Sequence, residues 1–340
     1  MFRIRQSLPG DVDQVLAVAE HLDTVNLPAE RKHVEGIIER SVKSFASEVP
    51  AVDREFLFVL EDLRAKRIIG TSIIYAQHGT KRAPHIFFRV ENDERYSYTL
   101  DKYFVHQTLR IGYNYNGPTE IGGLILLPEY RRNSEALGKA LSYVRFLFMR
   151  IHRPLFRDHV LSELLPPLEP DGTSLLWEAM GRKFTGLTYL EADLISKDNK
   201  EFINALFPDD PIHTELLPEE ARVLIGKVGA DTRGVEKMLR RIGFDYAEQI
   251  DPFDGGPHFT AATDQISIVR DAAVVPTRLV DEIDTERPWA ILGAQTAKGF
   301  FAVGTRVVPS DDGSGTIGLT ESVFSRLGIT PGQTVWMAFG

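Results

Sequence analysis

The stretch from Glu120 to Ile151, EIGGLILLPEYRRNSEALGKALSYVRFLFMRI, constrains the fold more than any other part of the chain. The apolar run from Glu120 to Leu127 reads as a buried strand. Pro128 ends it, because proline has no N–H with which to continue a ladder. Helix pattern resumes from about Ala136 to Ile151, with Leu137, Leu141, Val144, Phe148 and Ile151 on one side. A strand, a cationic loop and a long helix follow one another directly, and the fold class expected of the chain is α+β.

The rest of the chain supplies further strands and helices. Asp11 is placed to cap a helix carrying Val12, Val15, Leu16, Ala19 and Leu22, and a second helix is expected from about Glu30 to Phe45. Phe56–Leu60 and Ile68–Tyr75 read as a hairpin, whereas residues 76–119 read as irregular and aromatic-rich. Val160 to Leu165 is expected as a buried strand, Ser174 to Met180 as a helix, and Phe184 to Ala192 as another strand. After about residue 268 short β-rich segments alternate with turns such as Val307 to Gly313, a pattern expected of a small β-barrel. The expected division is 1–195, 196–268 and 269–340.

Composition narrows the function. With 340 residues, 43% hydrophobic and 26% charged, the chain is an ordinary globular one. It has no cysteine, which excludes disulfides, thiolate nucleophiles and cysteine-bound metals. Lys+Arg 39 against Asp+Glu 48 gives a net charge of −9, which argues against general nucleic-acid binding and leaves room for a local basic pocket. No apolar run approaches the roughly 20 residues that cross a bilayer. The start MFRIRQSLPG lacks a secretory pattern, so a cytoplasmic location is expected.

The chemistry concentrates after the Glu120 strand. A helix start exposes unpaired N–H groups and the positive end of its dipole, and small residues let a phosphate come close. Arg131, Arg132 and Lys139 add positive charge, and Ala136-Leu137-Gly138 opens the helix. The arrangement suits a pyrophosphate. The same pattern also fits an ordinary crossover with solvated arginines.

This segment resembles the acyl-CoA-binding motif of GCN5-related N-acetyltransferases (GNAT), whose loop after the fourth strand holds the CoA pyrophosphate. The end of that strand, here Leu124 to Leu126, would pair with the pantetheine arm. Ala136 stands where the first glycine is expected, which permits close approach if φ is negative there. Further segments are similar, in matching order, to the arginine N-succinyltransferase family. They are NLPAE (26–30), FVLED (58–62), GPTEIGGLILLPEYRR (117–132), SLLWEAMGRKF (174–184), DDPIHTELLPEEA (209–221), LIGKV (224–228) and DPFDGGP (251–257).

The resemblance implies a tandem GNAT-like acyl-CoA N-acyltransferase core with a small C-terminal β-barrel. It also implies transfer of succinyl from succinyl-CoA to the α-amine of arginine or a related amine, without a covalent enzyme intermediate, in a homo- or hetero-oligomer. Acyl-CoA would be a cosubstrate rather than a resident cofactor, and Leu124 falls at the family's succinyl-CoA contact. Three positions depart from the family: Gly229 replaces its proton-donor histidine, Tyr113-Asn114-Tyr115 replaces an asparagine–aspartate–histidine run, and Leu165 replaces an arginine.

Acyl transfer needs a neutral amine, a polarised carbonyl and a proton for the leaving thiolate. Glu120 is a candidate to accept the amine's proton or to hold a guanidinium. His213 and His258 are candidates for the missing histidine, each with a packing or surface role as the alternative. No pair of histidines has metal-ligand spacing, so no metal is expected. The competing function is a catalytically impaired paralogue serving as a partner subunit or acyl-CoA-binding protein.

Overall fold

The computed structural model describes residues 1–21, 27–81, 83–196, 200–310 and 313–340. Leu22, Asn26, Asp311 and Asp312, which belong to the expected first helix, the NLPAE segment and a C-terminal turn, lie outside the described residues.

In chain order the N-terminal elements are β1 (Phe2–Gln6), α1 (Val12–Ala19), α2 (Arg31–Phe45), β2 (Glu55–Asp62) and β3 (Arg67–Tyr75). There follow β4 (His85–Ser97), β5 (Lys102–Asn114), β6 (Thr119–Leu126), α3 (Leu137–Ile151) and β7 (His159–Glu163). The middle of the chain holds α4 (Arg182–Thr185), α5 (Tyr189–Ser196), α6 (Glu201–Leu206), β8 (Ile212–His213), α7 (Glu219–Arg222), α8 (Arg233–Arg241), β9 (Asp245–Ile250) and β10 (Pro257–Ala262). The end comprises α9 (Ser267–Asp271), β11 (Ala273–Leu279), β12 (Trp289–Thr296), β13 (Gly299–Arg306), β14 (Val308–Pro309), β15 (Ile317–Leu319), α10 (Glu321–Leu327) and β16 (Thr334–Phe339). These elements form two compact units of interleaved segments. Unit 1 is Met1–Gln77, Thr119–Asp158 and Ala262–Gly340; unit 2 is His78–Pro118 and His159–Ala261.

In unit 1 the strands lie in the order β14-β15-β11-β16-β12-β13-β1-β2-β3-β6. Helix α2 turns Val34, Ile37, Ile38 and Ser41 inward, a one-face repeat. The buried Ser41 hydroxyl accepts the Leu57 N–H at 2.9 Å, so the helix docks on β2 without stranding a polar group. Asp11 does not cap α1. Its carboxylate accepts two bonds from Arg5, at 2.6 and 2.9 Å, and one from the Leu8 N–H at 2.7 Å.

The expected C-terminal β-barrel is absent. Strand β13 pairs with β1, Ile4 opposite Ala302 and Arg5 opposite Phe301, and β1 pairs on its other side with β2. The C-terminal strands therefore extend an open sheet that ends at β14, with no ring closed among the described residues. A barrel abolishes its edges by pairing first strand to last; here β13 instead covers the edge that β1 offers.

In unit 2 the order is β7-β10-β9-β4-β5-β8. The expectation of irregular chain over 76–119 is corrected by a long hairpin, in which β4 and β5 pair from His85–Asn114 to Ser97–Lys102. Ile86, Phe88 and Val90 alternate on β4, as do Leu109, Ile111 and Tyr113 on β5, and both sets pack into a core with Trp177, Phe207 and Phe253. Phe184–Ala192 is not a strand. Helix α4 ends at Gly186 with φ +74 and α5 begins at Tyr189. The indole N–H of fully buried Trp177 donates to the Leu187 carbonyl at 3.0 Å and ties this turn down.

Ile4 is 1% exposed on the strand that joins the two parts of the unit 1 sheet. Ile4→Ala is expected to lower stability by about 3 kcal/mol. In urea denaturation the signals of the N-terminal and C-terminal strands should shift together; separate transitions would show that β13–β1 pairing does not couple them.

Candidate active site

One constellation, in unit 1, grows from a fault in the β3–β6 ladder. Thr71 pairs with Ile125 but Ile73 pairs with Gly122, so β6 carries one extra residue, a β-bulge. Gly123 has φ +54, and a Cβ there would lie 2.7 Å from Ile73 Cδ1. The Thr71 hydroxyl donates to the Gly123 carbonyl at 2.9 Å. A bulge breaks the regular alternation of ladder bonds, and it falls where the pantetheine arm and thioester are expected. Leu124 and Leu126 beside it are half-buried.

Beyond Pro128–Tyr130, Arg131 and Arg132 are exposed, and Arg131 Nε donates to the Leu126 carbonyl at 3.1 Å. Ala136 is the N-cap of α3, and no side chain caps the helix start. Gly138 is half-buried with room around it, since a Cβ there would meet only Leu126 Cδ2, at 3.7 Å. Ala136 does not satisfy the condition of a negative φ: its φ is +54, and Arg132 has φ 61. Two left-handed non-glycine residues within five positions store strain in this loop. Lys139 Nζ lies 4.2 Å from the Trp289 ring centroid and 5.6 Å from that of Tyr143.

Behind β6, Arg145 of α3 is 2% exposed. It donates to Ser142 O at 3.0 Å, to Ser142 Oγ at 2.9 Å and towards Gly122 O at 3.5 Å. Burial pulls its guanidinium down to about 9. Arg145 thus braces the bulged strand from the core side, a role hidden in the sequence within the apolar run YVRFLF. Glu120 is 3% exposed and lies opposite Tyr75. Its negative charge helps raise both Glu55 and Tyr75, after the larger effect of burial on each, while Arg40 donates to Glu55 at 2.7 Å and opposes the rise.

Unit 2 holds a second constellation. His258 is fully buried and His85 is 3% exposed. Glu163 Oε1 lies 3.3 Å from His85 Nε2 and 3.5 Å from His258 Nε2. The His85 and His258 rings stack at 5.2 Å, and His78 meets His85 edge-on at 4.5 Å. Burial works to raise the Glu163 carboxyl, but His258, His85 and His78 outweigh it and hold it well below the ordinary carboxylate range.

The DPFDGGP turn adds two carboxyls. Asp251 accepts the Phe253 N–H at 2.7 Å, yet burial, with the Glu163 charge second, pushes it up to about 6. Asp254 is raised well above its usual value by burial and by Asp251. Carboxyls driven apart in this way are a mark of acid–base sites.

Of the expected residues in this unit, His258 joins the cluster. His213 is exposed on β8, with its ring 6.3 Å from that of His106. Gly229 donates its N–H to the Leu165 carbonyl at 2.8 Å, two residues past Glu163, and a Cβ there would lie 2.6 Å from the Pro166 carbonyl oxygen. Glu163, with His78 and His85 or with Asp251 and His258, brings donor atoms within 4.8 Å of one another, close enough to hold a metal ion. The expectation of no metal rested on spacing along the chain, whereas these five residues come from separate strands and loops.

The bulged strand β6, the arginine loop and the uncapped start of α3 follow one another in a chain of the GNAT-related acyltransferase class. The family described as the arginine N-succinyltransferase beta subunit matches residues 2–268, and the chain belongs to that family. The arginine N-succinyltransferase of Yersinia enterocolitica is 32% identical over 289 residues, 84% of this chain and 83% of that protein. One from Escherichia coli is 30% identical over 315 residues, 92% of this chain and 91% of that protein. The structure of arginine/ornithine succinyltransferase subunit AI from Pseudomonas aeruginosa superposes with a TM-score of 0.86 at 26% identity, covering 100% of this chain and 98% of that one. No helix among the described residues is long and apolar enough to cross a membrane.

Two outcomes follow from this geometry. Ala136→Gly removes a left-handed alanine and is expected to stabilise unit 1 by about 1 kcal/mol, read by chemical denaturation. For Asp251 the folded state binds the proton more tightly than the unfolded chain, so its contribution to stability falls as pH rises from about 4 through about 6. Asp251→Asn should lack that fall and gain on the wild type above pH 6. Equal differences at pH 4 and pH 7.5 would show that Asp251 titrates normally.

Proposed function

We propose that this enzyme transfers the succinyl group of succinyl-CoA to the α-amine of arginine or a closely related amine. The observation that carries the reading is the sequence of bulge, arginine loop and uncapped helix start in unit 1. Helix α3 and Arg132 bind the pyrophosphate. The backbone at the Leu124 bulge pairs with the pantetheine arm and polarises the thioester carbonyl. The amine nitrogen attacks the carbonyl carbon, a C–N bond forms, the C–S bond breaks, and no covalent enzyme intermediate is needed.

The amine must lose a proton and the thiolate must gain one. We assign this transfer to His258, oriented by Glu163. The support is that the pair is buried, that Glu163 keeps its negative charge, and that Glu163 lies two residues before the segment to which Gly229 is bonded. The histidine absent at 229 is thus offset within the same unit. A catalytically impaired partner subunit is the competing reading, favoured by Gly229 alone.

Thiol release with succinyl-CoA and arginine tests the assignment. His258→Gln is expected to lower turnover by about a hundredfold or more with acyl-CoA affinity intact. Arg132→Glu is expected to weaken acyl-CoA binding. Turnover that survives His258→Gln would remove the histidine from the chemistry; acyl-CoA binding without turnover on any amine would favour the impaired subunit.

A further inference from the structure

Unit 1 contains a cavity of about 390 Å³ that the acyl-transfer reading leaves unused. Ser134 and Glu135 form part of its wall, and these residues directly precede the Ala136 N-cap, so the cavity adjoins the loop assigned to the pyrophosphate. Most of the remaining wall comes from the C-terminal segment, including Trp289, Arg306 and Arg326, with Arg64 from the turn between β2 and β3. The family match ends at residue 268, so the C-terminal part of this wall lies outside it.

Three features of the wall point to one ligand chemistry. Its charge is cationic: three arginines face one carboxylate, Glu135, which Arg326 already neutralises at 3.4 Å. Trp289 offers an aromatic surface held in place by Lys139, itself on the first turn of α3. The Trp289 indole N–H is buried with no hydrogen-bond acceptor among the described residues, so a small turn of the ring toward a ligand would break no bond. A planar base carrying a phosphate meets all three, and the volume falls within the range of small-molecule sites.

We propose that this cavity is the subsite for the 3′-phosphoadenosine end of the acyl-CoA, and that the C-terminal segment completes the nucleotide site. The proposal rests on the acyl-CoA reading above and adds to it the recognition of the phosphate at the far end of the cosubstrate. Arg306 and Arg64 are the phosphate ligands; both are exposed and can reorient without unfolding anything. Trp289 contacts the base.

The test compares binding of CoA and 3′-dephospho-CoA to the full chain by calorimetry. The wild type is expected to favour CoA about tenfold, the order expected of one charge-assisted contact. Arg306→Ala and Arg64→Ala should each shrink that ratio while leaving 3′-dephospho-CoA affinity unchanged. Equal affinities in the wild type, or a ratio unmoved in both variants, overturns the subsite; if Arg132→Glu still weakens CoA binding, the acyl-transfer reading stands without it. A wild type that binds neither compound overturns both.

Discussion

Everything in unit 1 depends on how closely helix α3 is enclosed. Eleven of its fifteen residues are buried, among them Leu137, Leu141, Val144, Phe146, Leu147 and Phe148. A helix apolar nearly all round has to be covered nearly all round. Strands β3 and β6 cover one side and β12 and β13 another. The approach is close enough that a Cβ at Gly70 would fall 2.9 Å from Leu141 Cδ2, and one at Gly304 would fall 2.7 Å from Ala140 Cβ. A helix so held cannot tilt or slide by even a methyl group without strain. Its N-terminus, and with it the arginine loop, is fixed by packing on elements from both ends of the sequence.

That enclosure explains which parts of the fold were readable. The Glu120–Leu127 strand and α3 carry continuous apolar signals that no local alternative satisfies. The β-barrel expectation failed because short strands and turns look alike whether an edge strand pairs with a neighbour or with a strand some 300 residues away, as β13 does with β1. Phe184–Ala192 looked like a strand because its aromatic and aliphatic residues are few and adjacent. The competing pull was tertiary: Trp177 anchors the Leu187 carbonyl, and Gly186 lets the chain restart as a helix. The hairpin of β4 and β5 was obscured because its outer half, around Tyr96, Tyr98 and Tyr103, is exposed and carries no core signal.

The site was half legible for the same reason. Arg131, Arg132 and Gly138 announce themselves by adjacency to a helix start. The bulge does not, because a register shift is a property of two strands, and only the Gly122-Gly123 pair hints at it. His78, His85, Glu163 and Asp251 each look unremarkable in the sequence, being spread over more than 170 residues and joined only by the sheet of unit 2. Family resemblance pointed to an empty position at Gly229. Geometry adds that the position has no room for a side chain, since the Pro166 carbonyl occupies the space a Cβ needs. The glycine at 229 is therefore set by the local backbone, which leaves a side chain there no space without a shift of the chain.

The end of the family match at residue 268 is then not a boundary in the physical sense. Strands β12 and β13 bury one flank of α3, β13 completes the pairing of β1, and Arg326 bonds both the Phe2 carbonyl and Glu135 of the arginine loop. An appended domain would leave α3 covered without it. Here the segment covers apolar surface that would otherwise face water, at roughly 25 cal/mol for each Å². A change in the C-terminal strands is therefore transmitted to the loop through packing and one buried arginine. The position of the loop is in this way set in part by residues that lie beyond the matched span.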